Sequence, residues 1–440
     1  MEQENRRYYR VRGKARLEGE VRVAGAKNAA TKQIVASLLS GGVCTFHNVP
    51  RIGDVQTTIE IVESVGARCR WKDENVLEVD SSRITQATIP IAFSGVNRIP
   101  ILLIGPLLHR MGEARVPVLG GCTLGPRPVD FHIDGMKSLG AHIAFEDGFY
   151  HARADHLKGT IFTLPYPSVG ATENVMTAAT LAHGTTVIQN AAIEPEVVDL
   201  AQFLQRMGAI IYQDVNRTWI VEGVQRLHPA DHWVIGDRIE AASFGVAAAV
   251  TGGAITVRGC RQDHLITFLN AFRKVGGQFE VQQDGIRFHG DPASFRPIAL
   301  ETDVHPGFMT DWQQPFVILL TQARGVSVMH ETVYERRFGY TRALNRMGAQ
   351  VQLFSQCLGG KSCRFRHRDH EHSAVIVGPT PLKGIEFEVP DLRAGFSYLI
   401  AAALAEGESV IRNVRYIERG YEHIARRMQQ LGMDLEVLHS

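Results

Sequence analysis

One loop carries the residue types with the clearest chemical potential in this sequence. Residues 119–130 read Leu-Gly-Gly-Cys-Thr-Leu-Gly-Pro-Arg-Pro-Val-Asp and place Cys122 and Arg127 in one glycine-rich segment. Glycine lets a backbone approach a ligand closely, and a nearby cation favours a thiolate and attracts anions. The loop therefore indicates chemistry on an anionic substrate, although a surface turn with an incidental cysteine would have the same composition.

The elements that would position this loop recur along the chain. An apolar residue followed by glycine ends a helix-like segment six times, at Gly66, Gly140, Gly208, Gly276, Gly348 and Gly432. Each copy predicts an Ala-rich helix, a short β-branched strand, an amphipathic helix that ends at the glycine, and a last strand. The spacing of about 70 residues exceeds solenoid periods and is typical of a small folded unit.

The Ala-rich helices predict the architecture. Residues 244–250, for example, are apolar nearly all round, which is typical of a buried helix rather than a surface helix. Six such copies predict an α/β fold with two domains, each made of three similar βα units with buried helices. Active sites often lie between two such domains.

Composition excludes several classes of function. The 440 residues suffice for two or more domains, and the net charge of +1 indicates neither a nucleic-acid nor a membrane partner. No apolar run is long enough to span a bilayer, the first residues lack a signal-peptide core, and six cysteines in so long a chain are typical of a reduced protein. We therefore expect a cytoplasmic protein without an obligate protein partner.

Six motifs together resemble the enolpyruvyl transferase family over essentially the full chain. In family order they are residues 25–29 (Gly-Ala-Lys-Asn-Ala), 120–130 (the cysteine loop), 168–174 (Ser-Val-Gly-Ala-Thr-Glu-Asn), 237–241 (Asp-Arg-Ile-Glu-Ala), 391–393 (Asp-Leu-Arg) and 419–421 (Arg-Gly-Tyr). Each motif alone is a modest signal, whereas all six in order are a strong one. The cysteine loop favours the nucleotide-sugar branch of the family over the branch that acts on shikimate 3-phosphate.

The resemblance implies a fold and an activity. The fold is an inside-out α/β barrel in which residues 1–24 and 237–440 form a discontinuous domain and residues 25–236 form an inserted domain. The activity moves the enolpyruvyl group of phosphoenolpyruvate onto the 3′-hydroxyl of UDP-N-acetylglucosamine and releases phosphate by addition and elimination. It would serve peptidoglycan synthesis, and therefore cell-wall biogenesis, cell shape and cell division, and we expect it to need no cofactor.

The resemblance also implies residue roles. Cys122 matches the reactive thiol that donates a proton to C3 of the enol and is alkylated by fosfomycin. Asp311 matches a carboxylate near the sugar hydroxyl, as general base or orienter, with a helix N-cap as the alternative. Lys27 matches the lysine that holds the phosphate, and Arg393 and Arg419 match arginines around the intermediate. The remaining candidates, all for substrate binding, are Asn28, Arg98, Arg127, Pro128, Val129, Asp130, Ser168, Val169, Gly170, Val333 and Arg337.

The other cysteines are interpreted as structural. Cys44, Cys69 and Cys260 lie in strand-like segments, and the apolar surroundings of Cys44 and Cys260 are typical of core cysteines. Cys357 and Cys363 precede the histidines His367, His370 and His372. Their spacing fits no standard zinc pattern, so we interpret residues 357–372 as a solvated loop and expect no metal site.

Three departures from the family pattern leave the acceptor open. Leu102 stands where the family commonly has Trp, Phe131 stands where the uracil pocket usually has Leu, and residues 357–372 lengthen the connection between the fifth and sixth units. One alternative is enolpyruvyl transfer to another uridine nucleotide such as UMP. A second is a non-catalytic ligand-binding protein, which the presence of Cys122 and Asp311 disfavours.

Overall fold

A computed structural model describes residues 7–119, 129–360, 363–390 and 394–439. Four of the predicted site residues lie outside the described residues, namely Cys122, Arg127, Pro128 and Arg393. The described chain divides into two compact units, with changes of unit after Ala24 and after Ile235. We call residues 7–24 with 236–439 the discontinuous unit and residues 25–235 the inserted unit.

Short strands and helices make up the described parts of the chain, often with two or three strands in succession between α-helices. The strands are β1 (Arg7–Arg12), β2 (Glu18–Arg22), β3 (Val43–His47), β4 (Arg68–Asp73), β5 (Val76–Asp80), β6 (Glu113–Pro117), β7 (His142–Glu146), β8 (Phe149–Arg153), β9 (Ile161–Thr163), β10 (Thr185–Gln189), β11 (Ile210–Asp214), β12 (Thr218–Glu222), β13 (Asp231–Trp233), β14 (Ala254–Arg258), β15 (Gln278–Gln282), β16 (Gly285–His289), β17 (Ala299–Glu301), β18 (Gly325–His330), β19 (Gln350–Phe354), β20 (Ser373–Gly378), β21 (Glu386–Glu388), β22 (Glu408–Arg412) and β23 (Asp434–His439). The α-helices are α1 (Lys27–Ala36), α2 (Gly53–Ser64), α3 (Ile104–Met111), α4 (Asp130–Ser138), α5 (Val169–Ala179), α6 (Pro195–Arg206), α7 (Arg238–Val250), α8 (Ile266–Val275), α9 (Gln313–Leu320), α10 (Thr341–Arg346), α11 (Ala394–Leu404), α12 (Arg415–Glu418) and α13 (Ile424–Gln430).

Each unit contains three small sheets. Those of the inserted unit have the strand orders β13-β3-β5-β4, β6-β8-β7 and β11-β12-β10-β9. Those of the discontinuous unit have the orders β15-β16-β14-β2, β17-β18-β20-β19 and β21-β22-β1-β23. The N-terminal strand β1 lies between β22 and β23 and is antiparallel to both. The segments β9-α5-β10, β17-α9-β18 and β21-α11-β22 each join two parallel strands through a helix.

The six predicted glycines end six helices in the same way. All of them have positive φ, between 95° at Gly140 and 111° at Gly66. In each copy the amide of the next residue donates a hydrogen bond to a carbonyl five residues earlier in the chain, as Ala209 does to Leu204 over 3.0 Å. This is the Schellman ending, which favours glycine because other residues are strained at positive φ. A strand follows each ending, so the predicted repeat is confirmed at the level of local structure.

The Ala-rich helices are buried, as predicted. Every residue of α7 is buried, and all of α9 is buried too. Each unit has its own apolar core, and the aromatic part of the core in the discontinuous unit centres on Phe268, which contacts Phe316 and Trp312. No helix in the described ranges is both long enough and apolar enough to cross a membrane.

The cysteine interpretations have mixed outcomes. Cys44 and Cys260 are buried, as expected of core residues, while Cys69 lies on β4 and is half-buried. The interpretation of residues 357–372 as a solvated loop is wrong for Cys363 and His372, because both side chains are buried. The reason is tertiary: the segment folds against the ends of β18 and β20, which sequence spacing does not reveal.

Candidate active site

Lys27 begins helix α1 in the inserted unit. Its Nζ lies 2.9 Å from Oδ2 of Asp54, in the first turn of α2, and the two side chains are only 16% and 13% exposed. A cation at a helix N-terminus opposes the helix dipole, so the position is unfavourable without an anion close by. Asp54 provides that anion within the protein, and sequence reasoning did not identify it. Asn28 follows in the same helical turn and is half-buried.

The N-terminal turns of α4 and α5 lie side by side in the inserted unit. Asp130 is the first residue of α4, and Ser168 caps α5 by accepting a hydrogen bond from the amide of Ala171 over 3.4 Å. The two helices meet where Asn174 Nδ2 lies 3.2 Å from His132 Nδ1. Adjacent helix N-termini bring together the positive ends of two helix dipoles, an arrangement suited to binding phosphate groups.

A close approach of α5 to α4 explains one predicted glycine. A Cβ atom on Gly170 would lie 3.1 Å from the His132 ring, so a larger residue there would require the ring to move by a few tenths of an ångström. Val129 immediately precedes α4, and Val169 is the first residue of α5. The structure thus brings Val129, Asp130, Ser168, Val169 and Gly170 together in one cluster at the two helix starts.

His132 is a residue of this cluster that sequence reasoning missed. Burial, with a contribution from the charge of Arg98, lowers the pKa of His132 to about 3. The ring is therefore neutral at physiological pH and can accept the Asn174 amide hydrogen at Nδ1. Burial and the charge of Asp130 raise the pKa of Tyr150, and the charge of Arg98 opposes that rise. The guanidinium of Arg98 therefore lies near the same helix starts.

Asp311 and Arg337 form the central contact of the candidate site in the discontinuous unit. Arg337 Nη2 donates to Asp311 Oδ1 over 2.5 Å, with side chains 1% and 11% exposed. Asp311 lies in the 3₁₀ turn Thr310–Trp312, and the N-cap of α9 is Trp312, without a side-chain capping bond. The N-cap alternative for Asp311 is therefore wrong, because its carboxylate is directed to Arg337 instead.

Glu331 organises the turn beside this ion pair, and it too was missed. One of its oxygens accepts from Thr310 Oγ1 over 2.9 Å and from Gln313 Nε2 over 2.7 Å. The other accepts the amides of Val333 and Tyr334, each over 2.8 Å. Burial raises the pKa of Glu331, and these hydrogen bonds and the charge of Arg337 oppose that rise. Glu331 therefore connects the Val333 turn to the segment that carries Asp311.

The other candidates are placed on separate elements. Arg419 is half-buried and forms the C-cap of α12 in the discontinuous unit. Leu102 is buried at 6% exposure in the 3₁₀ turn Pro100–Leu103 of the inserted unit. Phe131 is half-buried in the first turn of α4, next to Asp130. Both departures from the family pattern thus remain apolar contacts of the inserted unit.

Solved structures share the fold. The crystal structure of the enolpyruvyl transferase NikO from Streptomyces tendae matches with a TM-score of 0.88 at 23% identity, covering 99% of this chain and 100% of that one. EPSP synthase from Acinetobacter baumannii matches with a TM-score of 0.78 at 17% identity, covering 99% and 100%. At these identities the likeness shows the fold alone, and it confirms the predicted fold class.

Sequence relatives are much closer. A Protochlamydia amoebophila protein named UDP-N-acetylglucosamine 1-carboxyvinyltransferase is 52% identical over 436 residues, covering 98% of this chain and 94% of the relative. A Chlamydia pneumoniae protein of the same name is 50% identical over 431 residues, covering 97% and 94%. The family described as EPSP synthase (3-phosphoshikimate 1-carboxyvinyltransferase) matches residues 11–428. The predicted resemblance is thereby confirmed, and the chain belongs to the EPSP synthase family of enolpyruvyl transferases.

Proposed function

We propose that this protein transfers the enolpyruvyl group of phosphoenolpyruvate to the 3′-hydroxyl of UDP-N-acetylglucosamine. The observation that carries the proposal is the 52% identity, over 98% of the chain, to a relative that is named for this reaction. We further propose that the product enters peptidoglycan synthesis in the cytoplasm. The proposed catalytic residues belong to both units. We propose two domains, one of residues 1–24 with 237–440 and one of residues 25–236.

The reaction consists of an addition and an elimination. In the addition, the O3′–H bond of the sugar breaks, the oxygen bonds to C2 of the enol, and C3 gains a proton. In the elimination, C3 loses a proton, the bond from C2 to the phosphate oxygen breaks, and inorganic phosphate leaves. The chain must therefore supply a proton donor for C3, an acceptor for the hydroxyl proton, and cations for the carboxylate and phosphate.

Asp311 is the proposed partner of the sugar hydroxyl. Its ion pair with the buried guanidinium of Arg337 holds one carboxylate oxygen and so fixes the direction of the other. A fixed carboxylate can accept the hydroxyl proton or orient the hydroxyl toward C2. Glu331 supports the same arrangement, because it ties Thr310, the neighbour of Asp311, to the Val333 turn.

Lys27 is the proposed cation for the phosphate of phosphoenolpyruvate. Asp54 holds its ammonium group at the start of α1, which limits the rotamers that the long side chain samples before substrate binds. Arg393 and Arg419 are proposed to stabilise the tetrahedral intermediate, and Cys122 is proposed to donate the proton to C3. The remaining proposed binding residues contact the nucleotide sugar or phosphoenolpyruvate, namely Asn28, Arg98, Arg127, Pro128, Val129, Asp130, Ser168, Val169, Gly170, Val333 and Arg337.

The test is release of phosphate from phosphoenolpyruvate in the presence of either UDP-N-acetylglucosamine or UMP. We expect turnover with the nucleotide sugar, and turnover with UMP alone would replace the proposed acceptor. Cys122→Ala should abolish phosphate release while UDP-N-acetylglucosamine still binds. Fosfomycin should add to wild-type Cys122 in the presence of UDP-N-acetylglucosamine, and an unchanged intact mass would exclude a reactive thiol.

A further inference from the structure

Four metal-ligating side chains converge at one end of the sheet β17-β18-β20-β19. His330 ends β18, Cys357 and Cys363 lie between β19 and β20, and His372 immediately precedes β20. The register explains the convergence, because both His330 and the last residue of β19, Phe354, pair with Ser373. One ligand atom from each of the four residues lies within 4.8 Å of all the others.

The distances are close to those of a tetrahedral metal site. With bonds of about 2.3 Å to sulfur and 2.0–2.1 Å to nitrogen, a tetrahedral Zn²⁺ places its ligand atoms about 3.3–3.8 Å apart. Cys357 Sγ lies 3.3 Å from His372 Nε2, already within that range. The widest separation is at most 4.8 Å, so binding requires ligand shifts of about 1 Å, which side-chain rotation can supply.

The hydrogen bonds of the two histidines leave the same ring nitrogen, Nε2, able to bind a metal. His330 Nδ1 lies 3.2 Å from Glu301 Oε2, and His372 Nδ1 lies 2.9 Å from the carbonyl oxygen of His370. Carbonyl and carboxylate oxygens only accept, so each Nδ1 carries the hydrogen and each Nε2 carries a lone pair. Such outer contacts are characteristic of metal-binding histidines.

Three further observations favour a ligand over ordinary core packing. His330 is fully buried, and its Nε2 has no hydrogen-bond partner in the described part of the chain, a costly state for a buried polar atom. The amide of Phe365 donates to Cys363 Sγ over 3.3 Å, which stabilises negative charge on that sulfur. A Cβ on Gly359 would lie only 2.1 Å from His330 Nδ1, so the loop can approach this closely only with glycine there.

We propose that His330, Cys357, Cys363 and His372 bind one Zn²⁺ ion in a closed structural site. Two sulfur and two nitrogen ligands in a tetrahedral arrangement are typical of zinc. Four protein ligands leave no open position for water or substrate, so the ion would serve structure rather than chemistry. The proposal does not depend on the identity of the enolpyruvyl acceptor.

The site would stabilise the turn beside the Asp311–Arg337 ion pair. Arg364, which directly follows Cys363, donates from its guanidinium to the carbonyl oxygen of Val333. At the end of β18, His330 directly precedes Glu331, whose carboxylate accepts the Val333 amide. Zn²⁺ would thus hold both the loop and the strand end that fix Val333.

The test begins with the zinc content of the full-length protein, expressed with zinc in the medium and dialysed. We expect about one zinc per chain, and at least a tenfold loss of zinc in Cys357→Ser and in Cys363→Ser. Cys260→Ser is the matched control, because Cys260 is also buried in the discontinuous unit but donates to the Val257 carbonyl oxygen instead. It should keep its zinc.

Cobalt replacement provides a readout that does not require the serine variants to fold. The wild-type protein loaded with Co²⁺ should show the visible ligand-field bands of a tetrahedral ion and thiolate-to-cobalt charge transfer. Chelation of the metal should lower the thermal unfolding midpoint of the wild type, as loss of a ligand bound only to the folded state does. Wild-type protein with neither stoichiometric zinc nor cobalt bands would overturn the proposal, as would a Cys357–Cys363 disulfide found by mass spectrometry.

Discussion

Glu173 gives the most detailed prediction, because this carboxyl is buried without the contacts that a buried charge requires. It lies on α5 with 1% exposure, and neither of its oxygens has a hydrogen-bond partner among the described residues. Burial raises the pKa of Glu173 from 4.5 to about 8; the charge of Lys32 opposes the rise, and Glu196 and Glu194 add to it. The side chain is therefore protonated in the folded protein at neutral pH.

The pH dependence of stability follows from this pKa. Between pH 4.5 and about 8 the folded chain keeps a proton on Glu173 that the unfolded chain has released. Stability contributed by this group is therefore fully present below pH 4.5 and is lost as the pH rises to about 8. One pKa unit corresponds to about 1.4 kcal/mol, so the loss is at most roughly 5 kcal/mol.

Glu173→Gln removes this titration while keeping the size of the side chain. Urea denaturation of wild type and variant at intervals from pH 5 to pH 9 measures the effect. We expect similar unfolding free energies at pH 5 and a variant that is more stable than wild type by a few kcal/mol at pH 9. A difference between the two proteins that does not change with pH would refute the reasoning.

The matched control is Glu240→Gln, the same substitution at a carboxylate that is equally buried but paired. Glu240 accepts from Arg427 Nη1 over 2.6 Å and from the amide of Ala24 over 2.8 Å. Its neutralisation leaves a largely buried guanidinium without its anion, which costs about 3 kcal/mol or more. At neutral pH this variant should therefore be less stable than wild type, in contrast to Glu173→Gln.

Three further predictions concern activity and local backbone. Asp311→Asn should lower kcat for phosphate release by about 10²–10⁴-fold, and an unchanged kcat in steady-state assays would remove Asp311 from the mechanism. Lys27→Gln should raise the KM for phosphoenolpyruvate at least about tenfold, while the KM for the nucleotide sugar should stay constant. Gly140→Ala should lower the free energy of unfolding by about 1–2 kcal/mol, from positive φ alone. Gly66→Ala should lower it further, because the new Cβ would lie 2.7 Å from the Arg83 carbonyl oxygen. Equal urea midpoints for the two variants would contradict this expectation.

The repeat was the most predictable part of the fold, for a local reason. A glycine after an amphipathic helix specifies its own backbone geometry through positive φ, so Gly66 and Gly208 mark helix ends without any tertiary information. Burial of residues 244–250 of α7 was equally predictable, because this stretch has no polar side chain to place in water.

The contacts within the candidate site could not be predicted from the sequence. The resemblance identified Asp311 and Arg337 individually, yet their ion pair joins positions 26 residues apart and has no signal in the sequence. Asp54, Glu331 and His132 were missed for the same reason, since each acts through a partner on another element. Such pairings depend on how helices and strands pack, which residue types alone do not specify.

The cysteine and histidine cluster shows where reasoning from spacing fails. Cys357, Cys363 and His372 are close in sequence, but the fourth side chain of the cluster, His330, belongs to the neighbouring strand β18. Spacing rules for zinc assume that the ligands lie within one short motif. Pairing of β18 with β20 brings His330 to the other three side chains, and only the sheet register reveals it.

The most direct test of the central claim is the structure of the reaction product. The protein is incubated with UDP-N-acetylglucosamine and phosphoenolpyruvate labelled with ¹³C at C2, and the mixture is analysed by NMR. We expect a long-range correlation from the labelled carbon to the proton on C3 of the sugar, with one phosphate released for each ether formed. Phosphate released without an ether, or a labelled ether on any other hydroxyl, would contradict it.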